Sequence, residues 1–474
     1  MKTLRLLIVA AFLVPLLSLS SCIEDGFTTS PSDQPTFSVD TLKMGTVITD
    51  QSTTTHRFTV YNRASKGINI SRIALSGADA ALFRLNVDGF SGTEFSDVEI
   101  RAKDSIFILV EATLPDKDSD LPVKVEAALN FLTNGVDSKV IITATGRDVR
   151  RLDAVTITEN TTLTANRPYL ITDSLVVAPG ATLTIEPGAE LMFHDAAKMI
   201  VRGTLKAVGD VDREITFRGD RTGYVAAQIP FDIMSRQWQG VFFTSTSRDN
   251  ELSHSAVINT VQGVTVDGSL AQPGEVSLKM IDSRLRNSGG SSLEVYHADI
   301  AAYGCEFAEA AEAAVLLHGG SHIINQCTIA NYYLFTAISR PLLTLEHVNA
   351  DDDDASGLPY TRADITNTII YGLGSDISHG DLTGTSITLR SCLLKSEGSD
   401  DDNFINCIWG EDPLFYTIRE DYVFDYRLHD DSPAIGAGDA SLTAPEAAVD
   451  ILGNRRTTPP DLGAYVHTAE SRQM

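Results

Sequence analysis

Cysteine is scarce, with 5 in 474 residues, so the chain is not a small scaffold stapled by disulfides. Cys-x-x-Cys and His-flanked Cys pairs are absent, which removes the common structural zinc sites. Basic residues are few: 37 Lys and Arg face 63 Asp and Glu, for a net charge of −26. Such a surface repels a phosphate backbone and excludes nucleic acid as a partner. The apolar run Leu6–Leu17 falls short of the ~20 residues that a membrane-spanning helix needs. Neither Leu-x-x-Leu-x-Leu nor long amphipathic helical stretches occur, which excludes leucine-rich and helical solenoids. What is present is 43% hydrophobic sequence, enough for a core and for two or three domains.

The address is written at the start. Lys2 and Arg5 precede the apolar run, and Leu19-Ser20-Ser21-Cys22 closes it. That order is an export signal rather than an anchor helix. The tetrapeptide resembles a bacterial lipobox. The resemblance implies removal of residues 1–21 and acylation of Cys22, so that a lipid membrane is the first partner. Each buried acyl CH2 contributes about 0.8 kcal/mol to such anchoring. Ile23 is followed by Glu24-Asp25, similar to the acidic tag of Bacteroidota-type lipoproteins, which implies the outer membrane and its cell-surface side. Residues 22–35, with Ser30-Pro31-Ser32 and Gln34-Pro35, read as a polar tether.

The fold class expected is all-β: an N-terminal β-sandwich followed by a right-handed parallel β-helix, a solenoid. Residues 36–147 carry short alternating runs such as Phe58-Thr-Val-Tyr61 and Ser105-Ile-Phe-Ile-Leu-Val110, broken by Gly, Asn, Asp and Ser. Period-two runs of this kind predict a sandwich. Their order resembles the immunoglobulin-like domains of the choice-of-anchor and Hydin type, which implies a spacer or docking module.

From residue 150 to 440 the pattern changes. Val177-Ala-Pro-Gly-Ala and Ile185-Glu-Pro-Gly-Ala repeat eight residues apart, so strands end and turn at once. Ser283-Arg-Leu, Cys305-Glu-Phe, Cys327-Thr-Ile, Thr368-Ile-Ile, Cys392-Leu-Leu and Cys407-Ile-Trp then align at intervals of 22, 22, 41, 24 and 15. A small residue, any residue and a large apolar one thus recur about every 22 positions, and the doubled interval contains the insertion Ala350–Gly357. Such a period predicts a coil of short parallel strands, each turn burying its neighbour's inner face, with roughly 12 to 13 turns and some 60 Å of length. The stretch resembles the pectin-lyase-like superfamily, most specifically in Pro179-Gly-Ala-Thr-Leu-Thr-Ile185 and Trp238-Gln-Gly-Val241. Residues 441–474, with Asp450-Ile-Leu-Gly-Asn-Arg-Arg456 and Asp461-Leu-Gly-Ala-Tyr465, resemble the closing segment of choice-of-anchor Q proteins. They are expected to lid the last turn, with Asp439, Asp450 and Arg455 or Arg456 in structural contacts.

The sequence shows no catalytic constellation. Polysaccharide-degrading enzymes of this fold, lyases or glycoside hydrolases, are the alternative class. They need a basic group near the uronate or a pair of carboxylates across the glycosidic bond. The Asn-Thr-Asp, Asp-Asp and Gly-His-Gly clusters of polygalacturonases are missing, and His318-Gly-Gly-Ser-His322 and His379-Gly-Asp381 resemble them only superficially. The favoured reading is a surface-anchored interaction protein that presents a rigid coil to glycan or protein. No cofactor is required, although Asp351, Asp352, Asp353 and Asp354 could share calcium (Ca2+) with Asp400, Asp401 and Asp402, about two turns further on. Solvated acidic loops are the simpler account of both runs. Tyr332, Tyr333 and Phe335, with Phe415 and Tyr416, are the candidates for a sugar-stacking platform. Trp238 and Trp409 fall in rung positions instead.

Overall fold

A computed structural model describes residues 26–226, 229–269, 271–272, 274–346, 361–380, 382 and 385–469. The lipobox with Cys22 and the run Asp351–Asp354 lie outside the described residues. The chain divides into two compact units, residues 1–148 and 149–474.

The first unit holds two five-stranded sheets. One runs, in spatial order, through Thr36–Phe37, His56–Tyr61, Ser105–Ala112, Phe83–Val87 and Phe90–Gly92, all antiparallel. The other runs through Thr41–Ile48, Val136–Arg147, Val123–Thr133, Ile68–Ser76 and Glu94–Ile100, with only its first pair parallel. Alternation along each strand sends one set of side chains inward, and Phe58, Val60, Ile108, Val110, Leu129, Phe131, Val140 and Ile142 share one core.

The second unit is a parallel β-helix solenoid. Successive turns contribute strands to three long parallel sheets, called here the first, second and third faces in the order the chain visits them. Among the described residues the faces hold eleven, nine and ten strands. Eleven rungs rather than twelve or thirteen result because several turns carry excursions longer than the basic period, for example between Gly219 and Val241. At about 4.8 Å per rung the stack is about 48 Å long.

The core is built from ladders of like residues in exact register. Leu191, Phe217, Val257, Leu285, Phe307, Ile329 and Ile370 stack along the first face. Val201, Phe243, Val266, Val295, Leu317 and Leu345 stack along the second. Trp238 closes one such layer, its ring stacked on Phe193 at 4.0 Å between centroids and its indole N–H donating to the Ile258 carbonyl at 2.7 Å. Each inner side chain is covered above and below by another turn, so burial grows with every rung.

The corner from the third face to the first explains the cysteine spacing. It is one residue long and left-handed, with positive φ at His254, Asp282, Gly304, Gln326, Asn367, Ser391 and Asn406. The next residue is always small: Ser255, Ser283, Cys305, Cys327, Thr368, Cys392 or Cys407. In all seven the hydroxyl or thiol donates to the carbonyl two residues back, at 2.8–3.8 Å. The sharp bend disturbs the sheet ladder at that carbonyl, and a small donor side chain satisfies it without filling the corner.

The closing segment does not lid the last turn. From Phe415 onward the chain folds back along the outside of earlier turns. Ala464 N–H donates to Thr328 Oγ1 at 2.9 Å, Gly463 N–H to the Asn367 carbonyl at 2.9 Å, and Lys279 pairs with Glu446 at 3.1 Å. The physical reason is that the outer surface of the first face carries buried ionisable groups that need covering, and this segment supplies their partners. Asp450 is one structural hub, its carboxylate accepting from the N–H groups of Leu452, Asn454 and Val466 at 3.0, 2.6 and 2.8 Å.

Candidate functional site

The three faces differ in what their outer surfaces leave available. On the first face Glu306 is fully buried, paired with Arg286 and accepting from the Tyr465 hydroxyl at 2.5 Å. Glu309 nearby accepts from Tyr426, and burial pushes its carboxyl up to about 8 against the opposing pull of Arg286. The loop at Phe231–Ser235 covers the neighbouring corner, fixed by Asn259 Nδ2 donating to the Asp232 and Met234 carbonyls at 2.7 and 2.9 Å. On the third face several charged side chains pair, as in Lys206–Asp249 at 2.9 Å and Arg390–Asp364 at 2.7 Å.

The second face is different. Asp267, Tyr296, His318 and Glu346 occupy one register position on four successive turns, and all four remain half-buried with an accessible side. Each ends a four-residue strand of the same type: Val264-Thr-Val-Asp267, Leu293-Glu-Val-Tyr296, Val315-Leu-Leu-His318 and Leu343-Thr-Leu-Glu346. Period-two alternation sends the first and third residues inward and leaves the fourth outside. The Tyr296 and His318 rings lie 5.9 Å apart, and His297 meets His318 edge-on at 5.1 Å.

The charges around this ladder are unequally satisfied. Glu346 accepts from Arg340 at 2.8 Å and pairs with His318 Nδ1 at 3.1 Å. Burial would raise its carboxyl, but those two partners hold it below the ordinary range. Arg340 also reaches Glu312 at 3.9 Å. Glu294, two residues before Tyr296, accepts from the Tyr296 hydroxyl at 3.3 Å, is eased by Ser291 and by the more distant charge of Arg340, and has no cation at ion-pair distance among the described residues. Desolvation raises its carboxyl above the ordinary value.

The residues singled out in the sequence fall in varied places. Tyr332 and Tyr333 are buried, at 6% and 4% exposure, so they form no open platform. Tyr332 lies against Tyr426 at 6.2 Å and Tyr333 bonds Ser235 at 2.5 Å, so both are used in holding loop and closing segment to the coil. Phe335 is exposed, and Phe415 and Tyr416 are half-buried, with Phe415 edge-on to Tyr426 at 4.9 Å. The Asp400 carboxylate accepts from the N–H groups of Asn406 and Cys407 at 2.6 and 3.1 Å and from the Trp409 indole at 3.1 Å. Asp401 caps its own turn through the N–H groups of Asn403 and Phe404, at 2.7 and 2.8 Å. Asp402 is exposed, and no group of three or more metal-ligating side chains forms among the described residues. His322 is buried, and desolvation lowers its imidazole to about 4, so it stays neutral.

Sequence reasoning noted His318 but missed Glu294, Tyr296, Arg340 and Glu346. The signal that could have found them is the repeated apolar-x-apolar-polar tetrad, whose spacing of 29, 22 and 28 residues hides it from a search at fixed period.

No family model and no curated protein matches the chain. Among solved structures, a protein of unknown function from Porphyromonas gingivalis W83 aligns over 27% of this chain at 9% identity, with a TM-score of 0.18. The alignment covers 50% of that protein, so this chain spans about half its length. Vibrio cholerae VesB protease aligns over 25% of this chain and 33% of its own, at 13% identity and a TM-score of 0.16.

Proposed function

We propose that the chain is a lipoprotein, acylated at Cys22 and carried on the outer face of the outer membrane, whose coil binds glycan on its second face. In this reading the first unit is an immunoglobulin-like sandwich that serves as a spacer, and the coil is a right-handed helix of the pectin-lyase-like type. One observation supports the binding surface above the others. The closing segment covers Glu306 and Glu309 on the first face and charges pair at Lys206–Asp249 and Arg390–Asp364 on the third, while the Asp267–Tyr296–His318–Glu346 ladder keeps aromatic and polar groups side by side and half-exposed. Rings flanked by hydrogen-bonding groups are what a sugar uses, its C–H face on the ring and its hydroxyls on the rim.

A hydrolase is the second reading, favoured by one feature. Glu294 is held above and Glu346 below the usual carboxylate range, the split that an acid and a base require. Against it, Glu346 is already engaged by Arg340 and His318. A glycan array probed with the full chain tests the first reading, with loss of signal expected in a Tyr296→Ala, His318→Ala double variant. Release of reducing ends from any bound glycan would decide for the hydrolase instead.

A further inference from the structure

We propose that Glu294 and the Asp267–Tyr296–His318–Glu346 ladder form a site for an extended glycan bearing free amino groups, laid along the coil axis. The inference deepens the glycan-binding reading and rests on it.

Three observations carry it. The first is spacing: the ladder presents one side chain per turn, and the rung repeat of about 4.8 Å is close to the length of one pyranose in an extended chain. A glycan running parallel to the axis therefore meets an equivalent position at each residue. The second is the centre of the ladder, where the half-buried Tyr296 and His318 rings have centroids 5.9 Å apart and are tilted 48° to each other, so that successive sugars would each meet one ring. The third is charge. Arg340 is committed to Glu346 at 2.8 Å and lies 3.9 Å from Glu312, so among the described residues neither Glu294 nor Asp267 has a cation at ion-pair distance, and Glu294 feels Arg340 only from further off. It sits on the same strand as Tyr296, two residues back, and so on the same outer side. An ammonium on a sugar stacked at Tyr296 would supply the missing charge. Glu312 and Glu346 add negative potential around it, and the net charge of −26 attracts a polycation and repels a polyuronate.

A cationic peptide could meet the same carboxylates but would leave the ring spacing unused, so it belongs to the test rather than to the proposal. The experiment is calorimetric titration of the full chain with glucosamine oligomers, fully N-acetylated oligomers of the same length, oligogalacturonate and oligolysine. Glucosamine oligomers are expected to bind at least about tenfold more tightly than the acetylated series, because a charged hydrogen bond is lost on acetylation. Glu294→Gln should erase that preference without lowering the melting temperature, and Tyr296→Ala should weaken both series alike. Equal affinity for amino and acetylated oligomers overturns the inference and leaves glycan binding standing. Oligolysine binding as tightly as glucosamine of equal charge also overturns it. If no oligosaccharide binds, both the inference and the reading beneath it fall.

Discussion

Asn367 and Asp439 exchange two hydrogen bonds across 72 residues: Asp439 N–H donates to Asn367 Oδ1 at 2.8 Å, and Asn367 Nδ2 donates to the Asp439 carbonyl at 2.9 Å. The same asparagine occupies the left-handed corner with φ of 50° and is fully buried. One turn earlier Asn325, the strand residue just before the corner at Gln326, makes a similar pair of bonds, donating to the Leu442 carbonyl at 2.8 Å and accepting from Ala444 N–H at 3.0 Å. Asn367 therefore has two jobs, turning the coil and clamping the returning segment, and Asn325 beside the preceding corner shares the second.

Replacing Asn367 should loosen that segment before it unfolds the coil. Asn367→Gly keeps the left-handed backbone accessible but removes both clamp bonds, leaving Asp439 backbone groups without partners, at a cost of about 2–4 kcal/mol. Asn367→Ala adds strain at the corner and should cost more. Hydrogen exchange would show faster exchange at residues 439–466 with little change in the strands of the early turns. Uniform loss of protection in both regions would mean that segment and coil unfold as one.

The buried carboxyls predict an unusual pH response. Glu309 is raised to about 8 and Asp282 to about 7, both mainly by desolvation. Their protonated forms are favoured in the folded state, so the folded chain binds more protons than the unfolded one between the ordinary carboxylate range and these values. Stability from these groups is complete below the unfolded carboxylate pKa and is lost as pH rises through about 7 to 8. The melting temperature should fall from pH 5 to pH 8.5. Glu309→Gln, neutral at every pH, should flatten that decline; an unaltered slope would assign it to other groups.

The inner ladders predict a graded cost. Phe307 lies between Leu285 and Ile329 in register and is fully buried. Phe307→Ala should cost about 3–5 kcal/mol, since neighbouring turns are fixed by their own hydrogen bonds and cannot collapse into the void. A substitution at an outer position of the same coil, such as Thr265→Ala, should cost under about 0.5 kcal/mol. Chemical denaturation of both variants checks the contrast.

The parts of this architecture that repeat locally were open to sequence reading. The Ser/Cys/Thr slot is visible because a one-residue left-handed corner admits only small donors after it, so chemistry restricts the sequence directly. The closing segment was misplaced because its contacts join residues such as Glu306 and Tyr465, 159 positions apart, and no local pattern encodes which turn a returning chain will cover. Tyr332 and Tyr333 are hidden from sequence reading for the same reason: their burial depends on distant partners, Tyr426, Ile451 and Tyr465 for Tyr332 and the Ser235 loop for Tyr333. The second-face ladder stayed hidden because excursions of unequal length separate its rungs.

The cysteines offer a sharp test of how tightly the slot is packed. Cys305, Cys327 and Cys392 are buried, and burial holds the thiols of Cys305 and Cys392 far above the ordinary value. Cys305 N–H donates to Cys327 Sγ at 3.4 Å, so these sulfurs stack as neighbours along the axis without a bond between them. Cys407, on the last rung, is only half-buried, and a hydrogen bond from Cys392 lowers its thiol. In a Cys22→Ser chain a thiol-specific reagent should therefore modify one residue in the folded state and four after unfolding without reductant. Cys407→Ser should abolish the native reaction at little cost in stability, because serine already fills the same slot at Ser255 and Ser283. Cys407→Val should cost about 1 kcal/mol more, since valine cannot donate to the Ile405 carbonyl. Two reactive thiols in the folded chain would show that the last turns open in solution, and fewer than four after unfolding would reveal a disulfide between adjacent rungs.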